Sequence, residues 1–378
     1  MIALLAATML TSALLLFWVQ PMLTKVILPI LGGTPAVWNT ALVFFQAALL
    51  TGYLYAHLSS RWLGDRRQPL LHVLVLAGAA LFLPIALPDG WRPPTEGSPV
   101  LWLLGTLTVT LGVPFVALSA TAPLLQRWFA ATDHPDARDP YFLYAASNLG
   151  SMAALLGYPF VIEPLIGLDD QRTVWSAAYG VVAILIVASA WAVRRRPGQR
   201  DLARVDATTP PSPTRWTKAR WILLAFAPSS LLIGVTTHIT TNIAAVPLFW
   251  VLPLALYLLT FVIVFSRRPV LRHSWMIRSM PYLAIVMAIL LCLSVNAALP
   301  LPFLVLHLGA FFVLAMVCHG ELARTRPATA HLTEFYLWIA LGGVLGGAFT
   351  ALVAPIVFDS VVEYPLALLL AIALTPIA

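Results

Sequence analysis

Charge is what this sequence has least of. Charged residues make up 10% of its 378 positions, against about a quarter in soluble domains. Only 15 are acidic, which excludes a solvated acidic tail and leaves few carboxylates for a polycation to meet. Cysteine is nearly absent too. Cys292 and Cys318 both fall in apolar segments, without a CxxC or ligand spacing, which excludes a disulfide framework or zinc site and leaves two packed core residues. The N-terminus, MIALLAATMLTSALLLFWVQPM, lacks a basic leading region and an A-x-A cleavage site. It reads as a first membrane helix and not as a removable secretory signal.

What is there is apolar surface. Hydrophobic residues are 60% of the chain and the mean hydropathy is +0.89, which place it among polytopic helical membrane proteins. The net charge of +7 is then a topology signal before it is a nucleic-acid signal, and no nucleic-acid partner is expected. Runs of about 20 apolar residues, the length that spans a hydrocarbon core, predict twelve helices. They cover roughly 3–30, 35–58, 69–88, 99–126, 140–166, 171–193, 218–243, 247–266, 275–296, 299–320, 333–357 and 361–378. Breaks are expected inside the first, at Pro21, and inside the seventh, at a polar cluster.

Basic residues sort onto one side of this pattern. With the N-terminus inside, only Lys25, Arg92 and Arg172 fall outside, so 19 of the 22 are cytoplasmic. The positive-inside rule thus predicts both termini on the cytoplasmic side of a bacterial inner membrane. The longest loop, RRRPGQRDLARVDATTPPSPTR, is too polar to bury a core. It reads as a flexible basic linker over 194–217, between six-helix halves at 1–193 and 218–378. The halves look related. A shift of 212 residues pairs Thr24 with Thr236, Pro35 with Pro247, Trp38 with Trp250 and Leu42 with Leu254. Late in each half, YFLYAASNLGSMAALLGYPFVIEP (141–164) matches FYLWIALGGVLGGAFTALVAP (335–355) in its aromatic start, spaced small residues and proline. Paired six-helix halves are the pattern of transporters built from repeats.

Four blocks carry a family resemblance: LLLFWVQPMLTKVILPILGGTPAVWNTALVFFQAALLTGYLYAH, DPYFLYAASNLGSMAALLGYPFVIEP, GVTTHITTNIAAVPLFWVLPLALYLLTFVIVF and HLTEFYLWIALGGVLGG. Together they resemble the membrane region of the bacterial fused major-facilitator/spermidine-synthase proteins, over most of residues 10–370. The resemblance implies an all-α major-facilitator-like fold with a 6+6 pseudo-repeat, in which the first helix of each half lines a central cavity. In that family a soluble aminopropyltransferase-like domain commonly follows. Here the chain ends at Ala378 in an apolar run, so no catalytic domain is expected, and a separately encoded synthase-like subunit becomes a possible partner beside membrane lipid. Where the family often has an acid after ITT, this chain has Asn242.

No catalytic residue, cofactor site or metal site is expected from the residues themselves. Gly342-Gly343-x-x-Gly346-Gly347 lies inside a membrane helix with no strand before it, so it reads as a close-packing surface and not as a dinucleotide loop. Gly150 with Ala154 and Gly157 reads the same way. His307 and His319 are twelve residues, about 18 Å, apart on one helix, too far to share an ion, and read as hydrogen-bonded packing residues.

The densest polar cluster is GVTTHITTN in the seventh helix, where Gly234, His238, Thr241 and Asn242 share a face. That face is either lining for a small solute or glue between helices, with threonines bonding carbonyls one turn back. Its repeat partner is the first helix with Gln20, Thr24 and Lys25. Lys25 either snorkels to the outer surface or pairs with Glu163, at a similar outer depth. Thr333 and Glu334 read as a helix cap. Two functions follow: a transporter-like protein moving a small solute past His238, Thr241, Asn242, Gln20 and Lys25, or a non-transporting anchor for a separate enzyme or larger complex. A neutral face with one histidine suits a polar or anionic solute better than a polyamine.

Overall fold

The computed structural model describes residues 1–32, 35–87, 91–93, 99–195, 211–242, 251–268, 270–292, 300–359 and 362–375. The stretch 196–210, most of the expected linker, lies outside them, as do Pro247 and Trp250 of the repeat match. Among the described residues the secondary structure is helical. It forms twelve rods: α1 Ile2–Leu31; α2 (35–63) and α3 (65–79), the two parts of Pro35–Ala79; α4 Pro99–Ala130, α5 Phe142–Leu165, α6 Leu168–Arg194; α7 Arg215–Asn242; α8 Val251–Phe265; α9 His273–Cys292; α10 Pro300–Arg324; α11 Thr329–Val357; and α12 Glu363–Ala373. α2 and α3 part at Gly64, whose φ of 66° lies where only glycine is unstrained. Eight of the helical stretches are long and apolar enough to cross a membrane. Leu101, Ile184, Leu301 and Ile356 are exposed on them, as side chains facing lipid are.

The breaks expected in α1 and the seventh helix are absent. α1 runs through Pro21 and Pro29, and α7 runs through Pro228 and the threonine cluster. The reason is hydrogen-bond supply in a medium without water. Thr236 Oγ1 donates to the Leu232 carbonyl at 2.6 Å, and Thr240 Oγ1 to the Thr236 carbonyl at 2.9 Å. In α1, Thr24 Oγ1 donates to Gln20 at 2.8 Å and the Gln20 amide to Leu16 at 3.1 Å. Hydroxyls that compete with a helix in water instead bond to it when there is no water to take them.

Two compact units make up the chain. The first is Met1–Pro213 with Pro327–Leu337, the second Thr214–Arg326 with Trp338–Ala378. In the first, α1 and α5 come into backbone contact at Gly150, where a Cβ would run into the Leu10 carbonyl oxygen. Trp175 Nε1 donates to the Leu15 carbonyl at 2.9 Å, Tyr179 Oη to that of Leu76 at 2.9 Å, and Thr8 meets Ser189 at 3.0 Å. The start of α11 packs in this unit: Tyr336 Oη donates to Gln126 Oε1 at 2.8 Å and Tyr141 Oη to the Pro327 carbonyl at 2.9 Å. α11 already begins with a 3₁₀ turn at Thr329–His331, so Thr333 does not cap it. Its hydroxyl instead meets His57 Nδ1 at 3.1 Å.

The second unit repeats the contact of α1 with α5. A Cβ on Gly342 of α11 would run into the Ile222 carbonyl oxygen of α7, and one on Gly346 into that of Phe226. Ile222 lies 212 residues after Leu10, the shift that aligned the sequence halves. Ser229 Oγ then donates to the Gly343 carbonyl at 2.8 Å and Ser230 meets Thr350 at 2.6 Å, in the manner of membrane helix pairs. Both α5 and α11 contain one π turn, at Tyr158–Ile162 and at Phe349–Val353. Each is followed after one residue by a proline, Pro164 and Pro355, whose ring cannot sit on a regular α turn.

Candidate functional site

Each unit places polar side chains in its first helix, where the bilayer makes them expensive. In the first unit the Lys25 ammonium of α1 pairs with the Glu163 carboxylate of α5. Glu163 stands at the end of the π turn, and the Lys25 nitrogen also lies 5.8 Å from the centre of the Tyr158 ring. The side chains of Lys25 and Glu163 are 29% and 41% exposed, so water screens the pair and it is a weak stabiliser. Gln20 and Thr24 are occupied by their own helix, as described.

In the second unit the repeat shifts carry the pair to Thr237 and Ala354, and the charge is gone. One residue on, His238 holds the polar position. Its ring lies 4.5 Å from that of His307 on α10 and 5.6 Å from that of Tyr364 on α12, each tilted by 32°. His307 Nδ1 and Tyr364 Oη are 3.0 Å apart and hydrogen-bonded. His307 and Tyr364 are buried and His238 is half-buried. Gly234, one turn before His238, lets α12 approach: a Cβ there would stand 3.2 Å from the Tyr364 ring. Thr241 and Asn242 belong to α7, but their side chains lie outside the described residues. His319, the other histidine of α10, bonds Thr260 at 2.7 Å and stacks on Phe261. Cys318 is buried and unpaired. Among the described residues no three His, Cys, Asp or Glu side chains are grouped to hold a metal ion.

Two further charged clusters went unnoticed in the sequence. Glu321 is 5% exposed at the end of α10. It accepts from Arg220 Nη2 of α7 at 2.9 Å and from Arg324 Nη1 at 3.4 Å, and it meets His273 Nε2 of α9 at 2.9 Å. Gly320 leaves the room that the His273 ring fills. In the first unit Arg127 Nε donates to Asp65 Oδ1 at 2.7 Å, tying α4 to the start of α3. Beside it Trp128 Nε1 donates to Gln68 at 2.7 Å. The available signal was scarcity. Glu321 is the sole acid of α10, and Asp65 the sole acid of Pro35–Ala79.

No protein-family model matches the sequence, and no curated protein does. Solved structures match over nearly the whole chain. The proton:xylose symporter XylE, a major facilitator superfamily protein bound to 6-bromo-6-deoxy-D-glucose, is 12% identical, with a TM-score of 0.60 over 99% of this chain and 94% of that one. A bacterial homologue of the iron transporter ferroportin, outward-facing with soaked iron, is 14% identical, with a TM-score of 0.62 over 99% and 96%. The fold is that of the major-facilitator transporters. A POT family peptide transporter in an auto-inhibited form is also similar, at 14% identity, a TM-score of 0.58 and coverage of 99% and 95%. The major-facilitator fold explains why the close contact of first and fifth helices recurs 212 residues on. Identities this low carry the fold and name no solute.

Proposed function

We propose that the protein is a multi-pass transporter that moves a small polar solute by alternating access. The observation that carries this is the pairing of polar side chains in the first helix of each unit: Lys25 with Glu163 in one, His238 with His307 and Tyr364 in the other. A purely structural membrane helix has no need of either, since apolar residues pack as well and avoid the desolvation. The likeness to transporters of sugar, iron and peptide supports the architecture. On this reading Gln20, Lys25, His238, Thr241 and Asn242 contact the solute. The distribution of basic residues supports both termini lying in the cytoplasm, and the resemblance of the sequence blocks supports a bacterial inner membrane.

The test is flux. Purified protein in liposomes should exchange a labelled solute from a panel of sugars, short peptides, organic anions and ferrous iron. His238→Leu and Asn242→Leu should lower that exchange at least tenfold while keeping a monodisperse, thermally stable protein. Exchange untouched by both substitutions would leave these side chains as helix glue. Exchange of nothing, with a stoichiometric partner recovered in mild detergent, would instead favour a membrane anchor or subunit.

A further inference from the structure

His238, His307 and Tyr364 come from three helices, α7, α10 and α12, and meet within the membrane-spanning part of the second unit. A structural histidine needs one partner for each ring nitrogen. Two imidazoles stacked at 4.5 Å do something else. They present ring faces to each other, which is not how two ligands converge on one ion, but it is how an imidazolium rests over a neutral ring. The first proton on such a pair is stabilised by its neighbour, and a second is repelled by the first, so the pair titrates as a unit.

Tyr364 makes that change of charge tolerable. A phenol both donates and accepts. With His307 neutral and Nδ1 bare, the hydroxyl donates to it; with His307 protonated, Nδ1–H donates to the phenol oxygen. The buried hydrogen bond of 3.0 Å therefore survives in either state. Proton access is through His238, the half-buried member.

The other titratable groups on the surrounding helices are few. Glu363 adjoins Tyr364 on α12, and Tyr257 of α8 lies against His319. On α9 stand Arg278, the exposed Tyr282 and His273, which is held by Glu321. His319 and Glu321 are about three and four turns further along α10, and Arg220 is 18 residues before His238 on α7. From Trp338 to Val357 α11 carries no titratable side chain. Among the described residues, no printed ion pair joins the trio to any of these.

We propose that the stacked His238–His307 pair is a proton-binding site that loads and releases one proton per transport cycle, with Tyr364 holding His307 in both states. The proposal rests on the transporter reading and names its coupling ion.

Two measurements on the full chain keep the two apart. In lipid nanodiscs with ¹⁵N-labelled histidine, His238 and His307 should take up a single shared proton with a common midpoint, while His319 stays out of that transition. Tyr364→Phe should shift that midpoint, and His307→Gln should abolish the common transition and leave His238 titrating alone. Two histidines that stay neutral, or that titrate independently, overturn the site. In proteoliposomes, an imposed pH gradient should drive accumulation of an exchanged solute at least tenfold in the wild type and not in His307→Gln. Accumulation indifferent to the gradient overturns the coupling and leaves transport standing. No exchange at all overturns the transporter reading, and the nanodisc titration still decides whether the pair binds its proton.

Discussion

Gly342 and Gly343 are neighbours on α11, and the same substitution at each should have opposite results. A Cβ on Gly342 would run into the Ile222 carbonyl oxygen of α7 and stand 2.9 Å from the Ala225 methyl. A carbonyl oxygen in a helix cannot turn away, so α7 and α11 must part. Forced overpacking of this kind costs about 1–3 kcal/mol. It also loosens neighbouring contacts that need the close approach, the hydrogen bond from Ser229 to the Gly343 carbonyl and the pair of Ser230 with Thr350. A Cβ on Gly343 meets nothing within 4 Å. Gly343→Ala should then be neutral, or stabilising by up to about 1 kcal/mol through helix propensity. Membrane proteins of this size unfold irreversibly on heating, so the comparison belongs in apparent melting midpoints at one scan rate in one detergent. Gly342→Ala should melt below the wild type and Gly343→Ala at or above it. If the two variants melt together, the close backbone contact is not what holds α7 to α11.

Further predictions follow from the charged clusters. Glu321→Ala leaves Arg220 and His273 facing a lost partner at a buried position and should destabilise by about 3–5 kcal/mol, whereas Arg324→Ala removes a side chain that is 64% exposed and should cost about 0–1 kcal/mol; melting midpoints in the same detergent separate the two. A double-mutant cycle on Lys25 and Glu163 should return a coupling of about 0.2–1 kcal/mol, with the swap Lys25→Glu/Glu163→Lys recovering more stability than either single change. Trp175→Phe orphans the Leu15 carbonyl and should cost about 1–3 kcal/mol, read in the same melts.

The twelve helices were legible because span length and apolarity are set by the bilayer itself. The 212-residue shift was legible as well, and it reappears in space as Leu10 at Gly150 and Ile222 at Gly342. The breaks in α1 and α7 were misjudged for a physical reason: threonine and proline disrupt helices in water, where the solvent competes, and not where side-chain hydroxyls bond the helix itself. The partners of His238 were not legible at all. His307 and Tyr364 are 69 and 126 residues away in the chain, and only the packing of α10 and α12 on α7 brings them in. Glu321 was visible as an isolated acid, but Arg220 and His273 looked like loop charges until three helix ends met around it.

The central claim is that the two six-helix units exchange between two arrangements as solute passes. Pulsed electron–electron spin resonance on the protein in nanodiscs, with one spin label on an exposed residue of each unit near the same membrane face, tests it without needing the solute's identity. The account predicts two distance populations whose ratio shifts with pH and with any solute that exchanges in liposomes. A single distance that neither changes would contradict it.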